Sequence, residues 1–285
     1  GGGEFVLPQG EVATFMAGET RSGPDFRRWL GGEEFVNDME RWYLWLGDWR
    51  TEQIRAMPGV LKRVEAVRDF RNASKSAPTR KLADTPTRFH TEFIPRVSYI
   101  ALPQVSSERR NYIPIAFLDP DVLCGDKLRV IENASLFHFG ALTSQMHMSW
   151  TRCVTGRLKS DYQYSALIVY NNFPWPVDAT DQQNAAIETA AQAVLDARAR
   201  FPDSSLADLY DPRTMPPALV RAHQTLDRAV DAAYVPSGGK KSYASDAERV
   251  AFLFELYQRL TSLLPALTAK QTRQPATRKR GPRPT

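Results

Sequence analysis

Tyr170-Asn171-Asn172-Phe173-Pro174-Trp175-Pro176 divides the chain. Two prolines fix φ and remove backbone donors, so neither a helix nor a strand continues through them. The stretch reads as a rigid turn whose aromatic rings plug a core. On its C-terminal side the periodicity is helical over residues 182–200, 217–234 and 244–264, the last with Val250, Phe254, Tyr257 and Leu260 on one side. Asp203 and Ser204 read as cap residues before Leu206, and Ser237-Gly238-Gly239 as a loop. On the N-terminal side short strands alternate with turns. Residues 41–46 are aromatic-rich and end at Gly47-Asp48; residues 97–103, 112–118, 127–132 and 164–170 follow as further strands. Two helices interrupt them. One covers residues 59–74, with Val60, Val64, Val67 and Phe70 inward and Lys62, Arg63, Arg68 and Arg71 forming a basic outer surface. The other starts at a cap, Asn133 or Ser135, and carries Leu136, Phe139, Leu142, Met146 and Trp150 toward Gly156. The expected class is α+β, a small mixed or antiparallel-sheet domain followed by a helical domain.

Composition narrows the function classes. A length of 285 residues allows one large domain or two ordinary ones, and 42% apolar with 24% charged residues is ordinary globular usage. No run of eighteen apolar residues and no basic-then-apolar leader occurs, so neither a membrane span nor a secretory signal is expected, and the expected address is cytoplasmic. Cys124 and Cys153 are the only cysteines, too few for a disulfide framework and without zinc spacing; both are expected to be buried thiols. The formal charge of +5 is misleading. Residues 270–285 hold six basic residues and no acid, a Pro/Gln/Thr/Arg tail expected to be disordered, which leaves 31 basic against 32 acidic residues elsewhere. Within the body, residues 62–112 carry eleven basic and five acidic side chains, whereas residues 177–269 carry nine and twelve. The basic surface belongs to the first half.

Catalytic signatures are weak. A methyltransferase that uses S-adenosylmethionine usually shows a Gly-rich turn after a strand, and Gly31-Gly32 and Gly238-Gly239 lack its spacing. Gly239-Lys240-Lys241-Ser242 echoes a phosphate loop without its leading glycine. Asn172-Phe173-Pro174-Trp175 resembles an amine-holding turn, with phenylalanine in place of the first proline. His138 and His147 stand nine apart on the expected helix, not the four apart of a ligand pair. There remains Gly156-Arg157-Leu158-Lys159-Ser160-Asp161-Tyr162-Gln163-Tyr164-Ser165. If extended, it projects Lys159, Asp161 and Gln163 to one side. Lysine donates to guanine, aspartate accepts from cytosine N4 and glutamine pairs with adenine, so the trio suits base edges in the major groove. A strand edge guarded by charges is the alternative.

Several long stretches occur in an order that resembles the target-recognition region of Mme-type (type IIG/IIL) bifunctional restriction endonuclease/adenine-N6 DNA methyltransferases. They are Pro103-Gln104-Val105-Ser106-Ser107-Glu108-Arg109-Arg110-Asn111-Tyr112-Ile113-Pro114, Phe139-Gly140-Ala141-Leu142-Thr143-Ser144-Gln145-Met146-His147-Met148-Ser149-Trp150, the 156–165 segment and the 170–176 turn. The likeness covers roughly residues 34–176, with the remainder similar to that family's helical C-terminal domain. It implies that a nuclease, a helical connector and a methyltransferase domain precede this part in the parent protein. Residues 1–33 then connect to that missing methyltransferase domain, residues 34–176 form the recognition domain, residues 177–269 the helical domain and residues 270–285 the tail. The opening Gly1-Gly2-Gly3, with no methionine, reads as starting in mid-protein.

The family reads one base pair with two opposite charges flanking a serine. Lys159-Ser160-Asp161 resembles the Lys/Asp form, which implies a G·C pair, and Gln163 matches another reading position. Arg109, Arg110 and Arg157 are the phosphate candidates, followed by Arg63, Arg68 and Arg71, with ordinary salt bridging as the alternative. The expected partners are double-stranded DNA and the methyltransferase domain of the same polypeptide, with no membrane and a monomeric fragment. S-adenosylmethionine belongs to the parent enzyme; this chain is expected to hold no cofactor, metal or catalytic residue. The rival readings are a self-contained small methyltransferase and an intramolecular protein-interaction module.

Overall fold

The computed structural model describes residues 3–18, 25–47, 49–89 and 94–263. The tail expected at 270–285 and Asp48 of the expected turn lie outside them. Strands form at β1 (Val6–Pro8), β2 (Asp25–Leu30), β3 (Arg41–Trp45), β4 (Tyr99–Pro103), β5 (Val105–Ser106), β6 (Ala116–Leu118), β7 (Leu123–Cys124), β8 (Leu128–Glu132), β9 (Gly156–Leu158) and β10 (Asp161–Gln163). They build three small sheets ordered β1-β3-β2-β7, β6-β4-β8 and β5-β10-β9, antiparallel except for the β2–β7 pair. Strand β4 is buried along its whole length between β6 and β8, as its unbroken apolar sequence requires of a central strand. The expected α+β class holds, with helices dominating beyond residue 180. Residues 1–33, read as a connection, contribute β1 and β2 to the first sheet.

Helix Pro58–Asn72 closes that sheet with Val60, Val64 and Val67. The 60/64/67 stripe continues to Arg71, which is buried, while Phe70 is 55% exposed. This corrects the expected faces, and the geometry is plain: position 71 is four residues beyond Val67, one turn on along the same line. The single helix expected after Ser135 is two helices, Leu136–Leu142 and Gln145–Val154. Their apolar residues keep one period, but Ser144 Oγ accepts the His147 backbone N–H at 3.3 Å and caps a new start. The expected strand at 164–170 is also absent. Tyr164 N–H donates to Gln104 O at 2.7 Å, and Ala166–Tyr170 then winds into a π-turn capped by Ser165. Residues 112–118 are extended into a strand only at Ala116–Leu118.

The C-terminal region forms helices Asp181–Arg198, Leu206–Leu209, Pro217–Ala233 and Asp246–Leu263. Thr180 caps the first in a reciprocal box with Gln183, and the cap before Leu206 is Ser205, one residue after the expected pair. On the last helix the buried positions are Phe252, Leu253 and Leu256, whereas Phe254 is 39% exposed, so the buried line is displaced from the expected one. Its cause is visible: Phe252 packs against Tyr234 and Tyr243, while Phe254 and Tyr257 take the Trp150 ring.

One core joins the two halves. It contains Ile100, Leu102, Phe139, Trp150, Tyr164 and Phe173 together with Ile187, Val194, Leu226 and Leu253. At Gly140 helix Leu136–Leu142 comes so close that an added Cβ would lie 2.7 Å from Ile187 Cγ2. Tyr234 OH donates to Pro174 O at 2.8 Å, and Phe173 is buried, as the reading of the 170–176 turn expects. Cys124 is half-buried and Cys153 exposed, which corrects the expectation that both thiols are enclosed: Val154 ends its helix beside β9, and Cys153 faces away from the core. Among the described residues no helix is long and apolar enough to cross a membrane, and no three His, Cys, Asp or Glu residues gather as metal ligands.

Candidate nucleic-acid interface

The polar 156–165 segment folds as a β-hairpin. Strands β9 and β10 pair in the register Asp161–Leu158, Tyr162–Arg157 and Gln163–Gly156, leaving Lys159-Ser160 as a two-residue loop. Three interactions hold it. Thr155 Oγ1 donates to Gln163 O at 2.6 Å; Arg157 Nη1 donates to Ser160 O at 2.9 Å; and the Arg157 guanidinium lies 4.1 Å from the centre of the Tyr162 ring directly opposite. Tyr162 is buried and anchors the ribbon, while Gln163 and Lys159 are exposed and Asp161 is half-buried. Lys159 adopts φ +57°, a left-handed conformation that costs a side-chain-bearing residue about 1–2 kcal/mol.

The three expected base readers therefore do not lie along one extended run. Asp161 and Gln163 share a face of β10, and Lys159 stands on the adjoining turn because two-residue hairpin loops require a positive φ. Strand β10 also pairs with β5, Tyr162 against Ser106 and Gln163 against Val105. The 103–114 and 156–165 stretches thus meet. Glu108 N–H donates to Asp161 Oδ1 at 3.3 Å, which ties the carboxylate to the 107–111 loop. Beside it opens a cleft of about 350 Å³ lined by Gln104, Ser107, Arg110, Lys127, Glu33 and Asp161 among others. Such a wall offers both donors and acceptors within reach of one surface. Gln104, Lys127 and Glu33 were not singled out in the sequence, since neither periodicity nor spacing distinguishes them from solvated polar residues.

The arginines sort by place. Arg109 is exposed on the 107–111 loop, and Arg110 is half-buried in the field of Asp161 and Asp211. Arg157 is 42% exposed and spans the hairpin, with Glu108 4.0 Å away. Arg71 is a structural residue, which corrects its reading as a phosphate contact: it donates to the carbonyls of Leu82, Thr85 and Arg88 at 2.8, 2.8 and 2.6 Å. Arg63 donates to the Glu4 carbonyl and lies over the Phe15 ring, and Arg68 is exposed on the same helix.

His138 and His147 do not come together as a site. His138 and His147 stand on different helices, a correction to their placement on one. His147 is enclosed, its Nε2 3.0 Å from Tyr164 OH, and burial lowers its pKa to about 3. It is a neutral core residue.

Residues 1–177 match the family model described as the MmeI target recognition domain, and residues 179–265 match the MmeI C-terminal domain. The chain belongs to the MmeI family. Over 238 residues it is 39% identical to DNA methyltransferase A of Bacillus subtilis (strain 168), covering 84% of this chain and 26% of that protein. It is also similar to a solved structure of the type IIL restriction-modification enzyme MmeI in complex with DNA, with TM-score 0.86 and 46% identity, over 91% of this chain and 34% of that one. The chain thus spans about a quarter of the curated relative and a third of the solved one. The two MmeI-family regions meet beside the Pro174-Trp175-Pro176 turn.

Another large cavity, about 770 Å³, lies against β3 and β7 and is lined by Trp29, Tyr43, Trp45 and Phe89. Gly125, which follows β7, is packed on Trp29: an added Cβ would lie 2.6 Å from its ring. This glycine makes room for an indole.

Proposed function

We propose that this chain is the DNA-reading part of a site-specific adenine-N6 methyltransferase/restriction enzyme, and that Lys159 and Asp161 read one G·C pair in the major groove. The observation that carries the reading is the hairpin itself. It is the β9–β10 hairpin of the three-stranded β5-β10-β9 sheet, with opposite charges at its tip, beyond the pairing of Tyr162 and Gln163 with β5, and its buried side anchored by Tyr162; a major groove about 12 Å across admits such a two-stranded tip. Membership in the MmeI family and the likeness to an MmeI–DNA complex support it. The strained φ of Lys159 fits a conformation kept for its position rather than for stability.

Both charges are needed for discrimination. A lysine alone is attracted to any phosphate, whereas a neighbouring aspartate repels the backbone and gains only where a cytosine amine is offered. Each good base contact is worth about 1–3 kcal/mol. Gln163, on the same face as Asp161, reads a second base. Arg109, Arg110 and Arg157 contact phosphates and fix register without reading sequence. Methyl transfer, with its S-adenosylmethionine, belongs to the rest of the polypeptide, where the target adenine is flipped from the stack.

The test is binding of the chain to a pool of randomised duplexes at several salt concentrations. One enriched motif, and affinity that falls steeply with salt, are expected. Arg109→Ala should weaken binding to every sequence and reduce the salt slope by about one. A pool that emerges unenriched, with salt-independent affinity, would overturn the reading in favour of a protein-interaction module.

A further inference from the structure

The carboxylate assigned above to base reading is itself oriented from behind. Asp161 Oδ1 accepts from the Glu108 N–H, so its place follows that of the 107–111 loop. That loop closes through Arg110 N–H to Ser107 O at 3.2 Å. Its far end, the Asn111 carbonyl, accepts from two side chains: Gln145 Nε2 at 3.1 Å and Arg152 Nη2 at 3.3 Å.

Neither donor stands alone. The Gln145 backbone N–H donates to Asp227 Oδ1 at 2.7 Å, and Asp227 Oδ2 accepts from Tyr112 OH, next to Asn111, at 2.7 Å. Arg152 Nη1 donates to Asp246 Oδ2 at 2.5 Å and to Gln145 Oε1 at 3.3 Å, while Asp246 Oδ1 accepts from Ser149 Oγ at 2.8 Å. Asp227 and Asp246 sit on helices Pro217–Ala233 and Asp246–Leu263, in the C-terminal region. A third carboxylate of that region, Asp211, faces Arg109 and Arg110.

Stability does not explain this arrangement. The apolar core already joins the halves, and burying the Asp227 carboxylate costs desolvation that a well-packed apolar residue would avoid. What charge-assisted hydrogen bonds add is direction. Asp227 meets an orphan amide at a helix N-terminus, where the dipole favours it, and both of its oxygens are engaged. A reading group must be held to within about half an ångström by the residues behind it.

We infer that Asp227 and Asp246 are positioning residues for base recognition: the helical C-terminal region sets the place of Asp161 by gripping the 107–111 loop through Gln145, Arg152 and Tyr112. This rests on the reading of Asp161 proposed above.

The experiment selects bound sequences from a randomised duplex pool with the full chain, its Asp246→Ala and Asp227→Ala variants, and the conservative Asp227→Asn. The expected result is preference at the Asp161-dependent base pair reduced about tenfold, within the range of one base contact. Affinity for random duplex and its salt slope should stay as in the parent chain, and Asp227→Asn, which keeps an acceptor for Gln145, should restore most of the preference. Asp246 is 43% exposed, so its variant keeps the fold even if Asp227→Ala does not. In an Asp161→Ala background Asp246→Ala should change the preference no further. An unaltered preference in folded Asp246→Ala would overturn the inference, as would equal weakening for all sequences. If the parent chain enriches no motif, it is the reading of Asp161 that fails.

Discussion

The two sides of the 107–111 loop are built on opposite terms. In front stands a hairpin that is charged and strained at Lys159, with Lys159 and Gln163 exposed and Asp161 half-buried. Behind lie carboxylates that are matched: Asp227 by Tyr112 and Gln145, the partly exposed Asp246 by Arg152 and Ser149, and the buried Asp231 by Arg249 at 2.8 Å. Tyr112 also stacks on His223, ring centres 4.0 Å apart, and burial keeps that imidazole neutral by lowering its pKa well below the usual range. The contrast teaches a division of labour. On the proposed reading, the hairpin presents charges to a partner, and the scaffold behind it uses paired charges to fix where they point.

The largest effect is expected on the rear side. Arg198 is buried without a carboxylate, donating to Ile115 O at 2.6 Å and to Tyr210 OH at 2.8 Å, and thereby linking the helical region to the segment after the reading loop. Arg198→Ala should lower unfolding free energy by about 3 kcal/mol or more, measured by denaturant titration, because a buried acceptor and a cavity are left together. A loss below about 1 kcal/mol would place this residue outside the scaffold.

Acidity probes the same interior more gently. Burial raises the Asp227 carboxyl to about 6, above its unfolded value near 4. Its contribution is therefore fully present below pH 4 and is lost as pH rises through 6. The stability of the parent chain relative to Asp227→Asn should fall across that window by up to about 3 kcal/mol and be level above pH 7. A relative stability that climbs with pH would contradict the burial of this group.

The smallest effect belongs to the front. Lys159→Gly removes the left-handed strain and should raise stability by about 1 kcal/mol while abolishing preference at one base pair. A gain in stability that left the selected motif intact would show that Lys159 reads no base.

How much was legible follows the same division. Locally coded features are legible: the proline turn, the C-terminal helices, the β4 strand and the polar character of residues 156–165, whose hairpin turn is not. What local pattern cannot code was missed. The 164–170 segment is rich in β-formers, yet Ser165 capping and the Trp150 bond to Val169 O at 3.0 Å make it a π-turn. Ser144 broke a helix whose apolar period runs through it unaltered. Asp227 had one available signal. It sits eight residues after Leu219 and four after His223, half-buried along the line of the buried stripe of its helix, where a carboxylate demands a partner. Nothing in the sequence said that the partners are Tyr112 and Gln145, 115 and 82 residues away.

The most direct test of the reading is to exchange the charges in the complete enzyme, Lys159→Glu with Asp161→Arg, and to sequence the methylated sites. A motif altered at one G·C position, with every other position kept, is the expected result; an unchanged motif would contradict it.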